Sequence, residues 1–101
     1  MCGIVGCASK YKLQLNKSWI QEGSDMIKHR GPDDEGYWSS EDHKVEFGHQ
    51  RLAIMDTTEL GAQPMLDHNL KISLIFNGEI YNFKELRRQL NELGYVFKSD
   101  C

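Results

Sequence analysis

The stretch MCGIVGCA, residues 1–8, places a thiol next to the initiator methionine and continues as a short apolar run. This composition predicts a buried β-strand over Gly3–Ala8, the first strand of a sheet. If Met1 is removed, Cys2 carries a thiol and a free α-amine on one carbon, and the amine can take the thiol proton and pass it to a leaving group. The alternative is that Cys2 is a small apolar residue at the start of an ordinary strand.

A helix is predicted after this strand. Ser18 is a candidate N-cap residue, and Gln21 completes a capping box with it. The helix is expected to end near Arg30, because Gly31 and Pro32 break the pattern. Three apolar residues share one face of the helix: Trp19, Met26 and Ile27. This face is expected to pack against the sheet.

The middle of the chain predicts further strands. YWSS (residues 37–40) and KVEFGHQ (residues 44–50) are expected to pair as antiparallel strands across a short turn. RLAIMD (residues 51–56) is another strand or the exit from one. TTELGAQPMLDHN (residues 57–69) is rich in turn residues and is expected to be a loop. LKISLIFNG (residues 70–78) is rich in branched residues and predicts a central strand that ends at Gly78.

The last helix has the clearest pattern. Asn82 is a candidate N-cap residue with Glu85 as its capping-box partner, and Gly94 is a C-terminal stop. An apolar stripe lies between them: Phe83, Leu86, Leu90 and Leu93. YVFKS (residues 95–99) predicts one more strand. Several strands with two amphipathic helices predict a single α+β domain over residues 1–101, with helices packed on a mainly antiparallel sheet.

Composition indicates an ordinary soluble protein. The net charge is −3, and acidic and basic residues are interspersed, so we expect no nucleic-acid or membrane partner. No membrane-length apolar run and no signal-peptide pattern is visible, so a cytoplasmic location is expected. The three cysteines and four histidines have no zinc-binding spacing, so no metal site is expected.

Other residues complete a candidate site around Cys2. An Asn77 side chain beside a Gly78 backbone N–H is a natural pair of donors for an oxyanion, although Asn-Gly is also a common turn. The Arg51 guanidinium can bind a carboxylate through two parallel hydrogen bonds. The alternative, which is more common for an arginine, is an exposed side chain that binds no ligand. Glu79 and Asp100 offer negative charge for an ammonium group, or are simply solvated. Together they fit an α-amino acid with a distal amide, such as glutamine.

Four motifs in this order carry a resemblance to a known family. They are MCGIVG (residues 1–6), HRGPDDEG (residues 29–36), GHQRLAI (residues 48–54) and FNGEIYNF (residues 76–83). The chain resembles the N-terminal glutaminase domain of the class II glutamine amidotransferases, which are N-terminal-nucleophile (Ntn) hydrolases, and within them the glutamine-hydrolysing asparagine synthetases. The resemblance implies an α/β/β/α sandwich of two antiparallel sheets.

The resemblance also implies the roles of individual residues. Cys2 would attack the glutamine amide through a thioester and release ammonia, with its own α-amine as the base. Asn77 and the Gly78 N–H would form the oxyanion hole. Arg51 would bind the glutamine carboxylate, helped by the backbone around Leu52 and Ile54. Glu79 and Asp100 would lie near the amino group of the glutamine.

The family domain continues beyond the end of this sequence, and a threonine is usual where Cys101 stands. Residues 1–101 are therefore expected to be part of a glutaminase domain without the synthetase domain, which would use ATP and Mg²⁺ to amidate aspartate. This chain itself is expected to need neither. Missing strands would leave a sheet uncovered, through which the chain could associate with itself or pair with another chain. The alternatives are an inactive truncated fragment, a partner-binding remnant, and an amidotransferase with a different acceptor.

Overall fold

A computed structural model describes residues 2–13, 19–54 and 58–98 of the chain. In these ranges the elements follow one another as five strands, two α-helices and two short 3-10 helices. The strands are β1 (Gly3–Ala8), β2 (Asp34–Ser39), β3 (Val45–Arg51), β4 (Met65–Asp67) and β5 (Ile72–Leu74). The helices are α1 (Trp19–Met26) and α2 (Phe83–Glu92), with 3-10 helices at Lys28–Arg30 and Glu59–Gly61. The expected N-cap Ser18 lies outside the described residues.

Strand β3 is the centre of a three-stranded antiparallel sheet with the order β1-β3-β2. In the middle of the sheet, His49 of β3 lies between Ile4 of β1 and Gly36 of β2. Because side chains alternate along a strand, His49 and Arg51 share one face, and Gly48 and Gln50 lie on the other. The predicted α+β fold with antiparallel sheets is confirmed, as are the strand Gly3–Ala8 and the pairing of residues 37–39 with β3. The expected burial of Gly3–Ala8 is wrong, because only Gly3 is buried and Ile4, on the alternate face, is 47% exposed.

Helix α1 covers the face of the sheet that carries Gln50. Ser24 is fully buried there, and its Oγ accepts a hydrogen bond of 2.8 Å from Gln50 Nε2. Ile27, just after the helix, packs on Gly3. The expected packing of Met26 is wrong, because its side chain is 79% exposed. The helix approaches the sheet through two small residues, Gly23 and Ser24, and the long side chain of Met26 lies outside this contact.

In the part of the chain that the structure describes, a second sheet consists of β4 and β5, which are antiparallel. Two expectations are therefore wrong. Residues 57–69 are not all loop, because they include β4. The stretch at 70–78 is not a central strand that ends at Gly78, because only Ile72–Leu74 form a strand there. β5 ends at Leu74, and the Phe76 N–H bonds to the Gln63 side chain instead of continuing a ladder. Within the described residues 95–98 no strand forms, so the expectation of a strand there is also wrong.

Helix α2 begins and ends where the sequence predicts. Asn82 occupies the N-cap position, but its side chain makes no capping hydrogen bond with any described residue. Glu85 does not complete a capping box, because its carboxylate accepts hydrogen bonds from Arg88 and Gln89, which hold its pKa below the ordinary value. Gly94 follows the helix with a φ of +93°, a conformation that favours glycine.

Apolar side chains are only partly covered in this fold. Among the described residues, no apolar side chain is fully buried, whereas His49 and Gln50 are. The stripe of α2 borders a cavity through three of its members: Phe83, Leu86 and Leu90. The middle of the three-stranded sheet therefore holds polar groups, and part of the apolar surface lines the cavity.

Replacing Gly31 by alanine is expected to lower the free energy of unfolding by about 1–3 kcal/mol, the usual cost of overpacking. A Cβ at Gly31 would lie 2.3 Å from the Gln50 carbonyl oxygen and 2.6 Å from the Arg51 carbonyl carbon, and these backbone atoms cannot yield without bending β3. Chemical denaturation measures the change. The matched control is Gly23→Ala, where the new Cβ meets only one side-chain atom, Val5 Cγ2, at 3.3 Å. An equal loss in both variants would contradict the expectation.

Candidate active site

One cavity of about 460 Å³ lies beside the end of β3. This volume is within the range of about 300–1,000 Å³ for small-molecule sites. Seven of the eight residues that the sequence nominates line it: Cys2, Arg51, Leu52, Ile54, Asn77, Gly78 and Glu79. The eighth, Asp100, lies outside the described residues. The structure thus brings together residues that are up to 77 positions apart in the sequence, counted from Cys2 to Glu79.

Cys2 is half-buried immediately before β1, and its thiol faces the residue that follows β3. The Leu52 N–H donates to Cys2 Sγ at 3.3 Å, and the Leu52 carbonyl accepts from the thiol at 3.7 Å. The pairing of β1 with β3 is the reason for this contact, since it aligns the start of one strand with the end of the other. The sulfur is therefore held at the wall of the cavity.

Arg51 is the last residue of β3 and is buried, with 7% of its surface exposed. Its Nη1 donates to the Thr58 carbonyl at 2.7 Å. This bond orients a guanidinium that borders the cavity. A cation in this position can bind an anionic group of a ligand, because a guanidinium offers further donors in a rigid fork.

The charged motif at residues 29–36 supports both of these residues. Arg30 Nε donates to the Cys2 carbonyl at 3.3 Å. Asp33 receives a bond from the Ala53 N–H at 2.9 Å, and its own N–H donates to the Arg51 carbonyl at 3.0 Å. The motif thus fixes two backbone segments at the cavity, one at Cys2 and the other at Arg51 and Ala53.

Asn77 and Gly78 border the cavity in the segment between β5 and α2. Asn77 is half-buried and Gly78 is exposed. The ring of Phe76 lies against Gly78, so that a Cβ there would be 2.8 Å from Phe76 Cζ. Glu79 is exposed at the same rim. The assignment of these residues to an oxyanion hole and an ammonium site remains a prediction from the sequence.

His49 is a buried polar residue that the sequence reasoning did not use. Its side chain is fully buried, and neither ring nitrogen has a hydrogen-bond partner of good geometry among the described residues. Burial is the main cause that lowers its pKa from the ordinary value of 6.5. The Phe76 backbone opposes this shift, and the Arg51 cation adds to it. His49 is therefore a neutral ring between the three-stranded sheet and the segment that contains Phe76.

The burial of His49 predicts that acid destabilises the protein. In the window between the lowered pKa of the folded protein and the ordinary 6.5, the unfolded chain binds a proton that the folded ring does not. The free energy of unfolding should therefore fall as the pH drops from above 6.5 into this window, and His49 adds no further loss below it. Urea denaturation at pH 7.5 and 5.5, on the order of one pH unit either side of about 6.5, measures the change.

His49→Gln is expected to reduce this pH dependence, because glutamine does not titrate. The matched control is His68→Gln, since His68 is exposed on the turn between β4 and β5. If His49→Gln kept the same pH dependence as the unsubstituted protein, buried His49 would not be its origin.

Sequence reasoning missed four residues that the structure brings to the site. Arg30 and Asp33 belong to the charged motif at residues 29–36, but the motif by itself does not reveal that Arg30 reaches the Cys2 carbonyl or that Asp33 receives the Ala53 N–H. His49 and Gln63 carried no signal, because a single polar residue in a strand or loop does not reveal what covers it. Among the described residues, no group of three or more His, Cys, Asp or Glu side chains could hold a metal ion, and no helix is long and apolar enough to cross a membrane.

Comparisons with known proteins agree with one another. A family described as a glutamine amidotransferase domain matches residues 1–101. Glutamine-hydrolyzing asparagine synthetase 1 of Bacillus subtilis (strain 168) is 44% identical over 103 residues, covering 99% of this chain and 16% of that protein. Asparagine synthetase 3 of Arabidopsis thaliana is 41% identical over 104 residues, covering 100% of this chain and 17% of that protein.

An amidase of Gibberella zeae is 41% identical over 83 residues, covering 81% of this chain and 12% of that protein. The chain therefore spans 12–17% of the length of these curated relatives. No solved structure matches the chain.

Proposed function

We propose that this chain, which belongs to the glutamine amidotransferase domain family, hydrolyses glutamine through Cys2 and releases ammonia. One observation carries the proposal: residues nominated from separate motifs line a single cavity in which the Cys2 thiol forms part of the wall. Residues 1–101 are then part of a glutaminase domain. The finer architecture that we propose for it is the α/β/β/α sandwich of the Ntn hydrolases.

The first half of the reaction forms a thioester. With Met1 removed, the α-amine of Cys2 takes the thiol proton, and the thiolate sulfur attacks the amide carbon of glutamine. The carbon–nitrogen bond then breaks, and the ammonium group of Cys2 returns the proton to the leaving nitrogen, which departs as ammonia. The position of Cys2 Sγ at the cavity wall, fixed by the Leu52 N–H, supports this role.

The negative charge on the tetrahedral intermediate needs donors that are already in position. The Asn77 side-chain amide and the Gly78 N–H are proposed to supply them. Both residues border the cavity that Cys2 also borders. Gly78 is exposed, and the absence of a Cβ leaves room for the Phe76 ring that lies against it.

The remaining residues are proposed to hold the substrate. Arg51 binds the glutamine carboxylate, helped by the backbone around Leu52 and Ile54. Glu79 and Asp100 are proposed to receive the glutamine ammonium group. The buried guanidinium of Arg51, held by the Thr58 carbonyl, supports a fixed carboxylate site.

In the second half of the reaction, water attacks the thioester with the Cys2 amine as base. This step releases glutamate and restores the thiol. The names of the asparagine synthetases among the relatives support asparagine synthesis as the proposed use of the ammonia. The proposed reaction is the ATP-dependent amidation of aspartate that the resemblance implies. That step would take place outside residues 1–101, and no step described above uses ATP or a metal.

The experiment that tests this function is labelling with a glutamine-analogue chloroketone, followed by intact mass and peptide mapping. We expect a protein without Met1 that carries one label on Cys2. Excess L-glutamine should prevent labelling and D-glutamine should not. Retention of Met1, or equal labelling of Cys2, Cys7 and Cys101, would contradict the proposal.

A further inference from the structure

Gln63 lies where the two sheets meet. Its backbone rests on Gly36 of β2, where a Cβ would lie only 1.9 Å from the Gln63 carbonyl oxygen. Gly36 pairs with His49, on the face of the three-stranded sheet that also carries Arg51. The backbone of Gln63 is therefore fixed against the sheet that supports the cavity.

The side chain of Gln63 reaches the segment after β5. Its Oε1 accepts a hydrogen bond of 2.6 Å from the Phe76 N–H. Phe76 directly precedes Asn77, and its ring packs against Gly78. A displacement of the Phe76 backbone would therefore move both proposed oxyanion donors.

No strand of the described residues pairs with this segment. β5 ends two residues before Phe76, and the second sheet has only two strands, β4 and β5, among the described residues. The glutamine side chain takes the place of a strand neighbour for this N–H. Gln63 is half-buried and borders the same cavity as Cys2.

We propose that Gln63 is a positioning residue for glutamine hydrolysis, whose side-chain oxygen fixes the Phe76 backbone and thereby aims Asn77 and Gly78 into the cavity. This inference rests on the proposed function. Gln63 does not touch the reacting atoms itself. Loss of its acceptor leaves the nucleophile in place and displaces the groups that stabilise the oxyanion.

Two substitutions of similar size separate the acceptor from the rest of the side chain. Gln63→Met keeps the length but has only a weak sulfur acceptor, whereas Gln63→Glu keeps a strong oxygen acceptor. Steady-state glutaminase kinetics of the full chain should show that Gln63→Met lowers kcat about 10- to 100-fold, because small misplacements of positioned groups have effects up to that size. KM should stay within about twofold, since transition-state interactions are the ones lost. Gln63→Glu should recover kcat to within about threefold of the unsubstituted protein, because the acceptor is retained.

Alkylation of Cys2 by iodoacetamide forms no oxyanion, so its rate should be the same in both variants. A merely structural defect would lower kcat and slow the labelling of Cys2 together, and Gln63→Glu would not restore either rate. Amide NMR adds a measurement that needs no activity. Gln63→Met should shift the resonances of Phe76, Asn77 and Gly78 and speed the exchange of the Phe76 amide, whereas Gln63→Glu should keep the slow exchange of that amide.

Unchanged resonances and exchange in Gln63→Met would overturn the positioning contact. Altered resonances with unchanged kcat would overturn its catalytic consequence. A protein that forms the contact but shows no glutaminase activity and no glutamine-protected labelling of Cys2 would overturn the proposed function, and the role of Gln63 in hydrolysis with it.

Discussion

Cys2→Ala is expected to reduce glutamine hydrolysis by about 10⁴-fold or more, because loss of a covalent nucleophile removes the whole thioester route. The alanine variant keeps the α-amine and leaves β1 paired with β3, since the ladder between these strands joins backbone groups of residues 3–8 and 45–50. It removes only the contacts of the thiol with the Leu52 backbone. Glutamine binding should therefore survive. A coupled assay of glutamate release measures the loss, and calorimetry measures the binding.

Cys7→Ala is the matched control for this substitution. Cys7 lies on the same strand, and the alternation of side chains puts it on the face opposite Ile4, toward α1. Its removal is expected to leave kcat unchanged. If Cys2→Ala kept its activity, or if Cys7→Ala lost as much, Cys2 would not be the nucleophile.

Asn77→Ala is expected to lower kcat about 10²- to 10³-fold with a smaller change in KM, as for other oxyanion-hole donors. The physical reason is that its amide meets developing charge only in the transition state. Stopped-time assays over a range of glutamine concentrations separate the two constants. Labelling of Cys2 by iodoacetamide should proceed at the normal rate, because that reaction does not need the donor.

Asn91→Ala is the control for Asn77. Asn91 is exposed on α2 and is not among the residues that line the cavity beside Cys2. Alanine is also a better helix former, so the fold should be retained. An equal loss of kcat in both asparagine variants would count against an oxyanion role for Asn77.

Local sequence patterns determined the elements whose contacts are close in the chain. Helix α2 lies between Asn82 and Gly94 as predicted, because an amphipathic repeat and a stop residue act within a few turns. Strands β2 and β3 pair as predicted, since the turn between them sets their register. The motifs around Cys2, Arg51 and Asn77 likewise point from the sequence alone to one chemistry.

Only the tertiary structure decided which strand is central and what surrounds each polar residue. The stretch at 70–78 has the composition of a central strand, but the position of a strand depends on its partners. Among residues 2–13, 19–54 and 58–98, β3 has two partner strands and β5 has one. His49 and Gln63 look unremarkable in the sequence, yet one is fully buried and the other holds the Phe76 N–H. Burial and long-range hydrogen bonds depend on residues far apart in the chain, so no local pattern encodes them. The sequence by itself identifies the chemical groups, and the tertiary packing determines which of them are in contact.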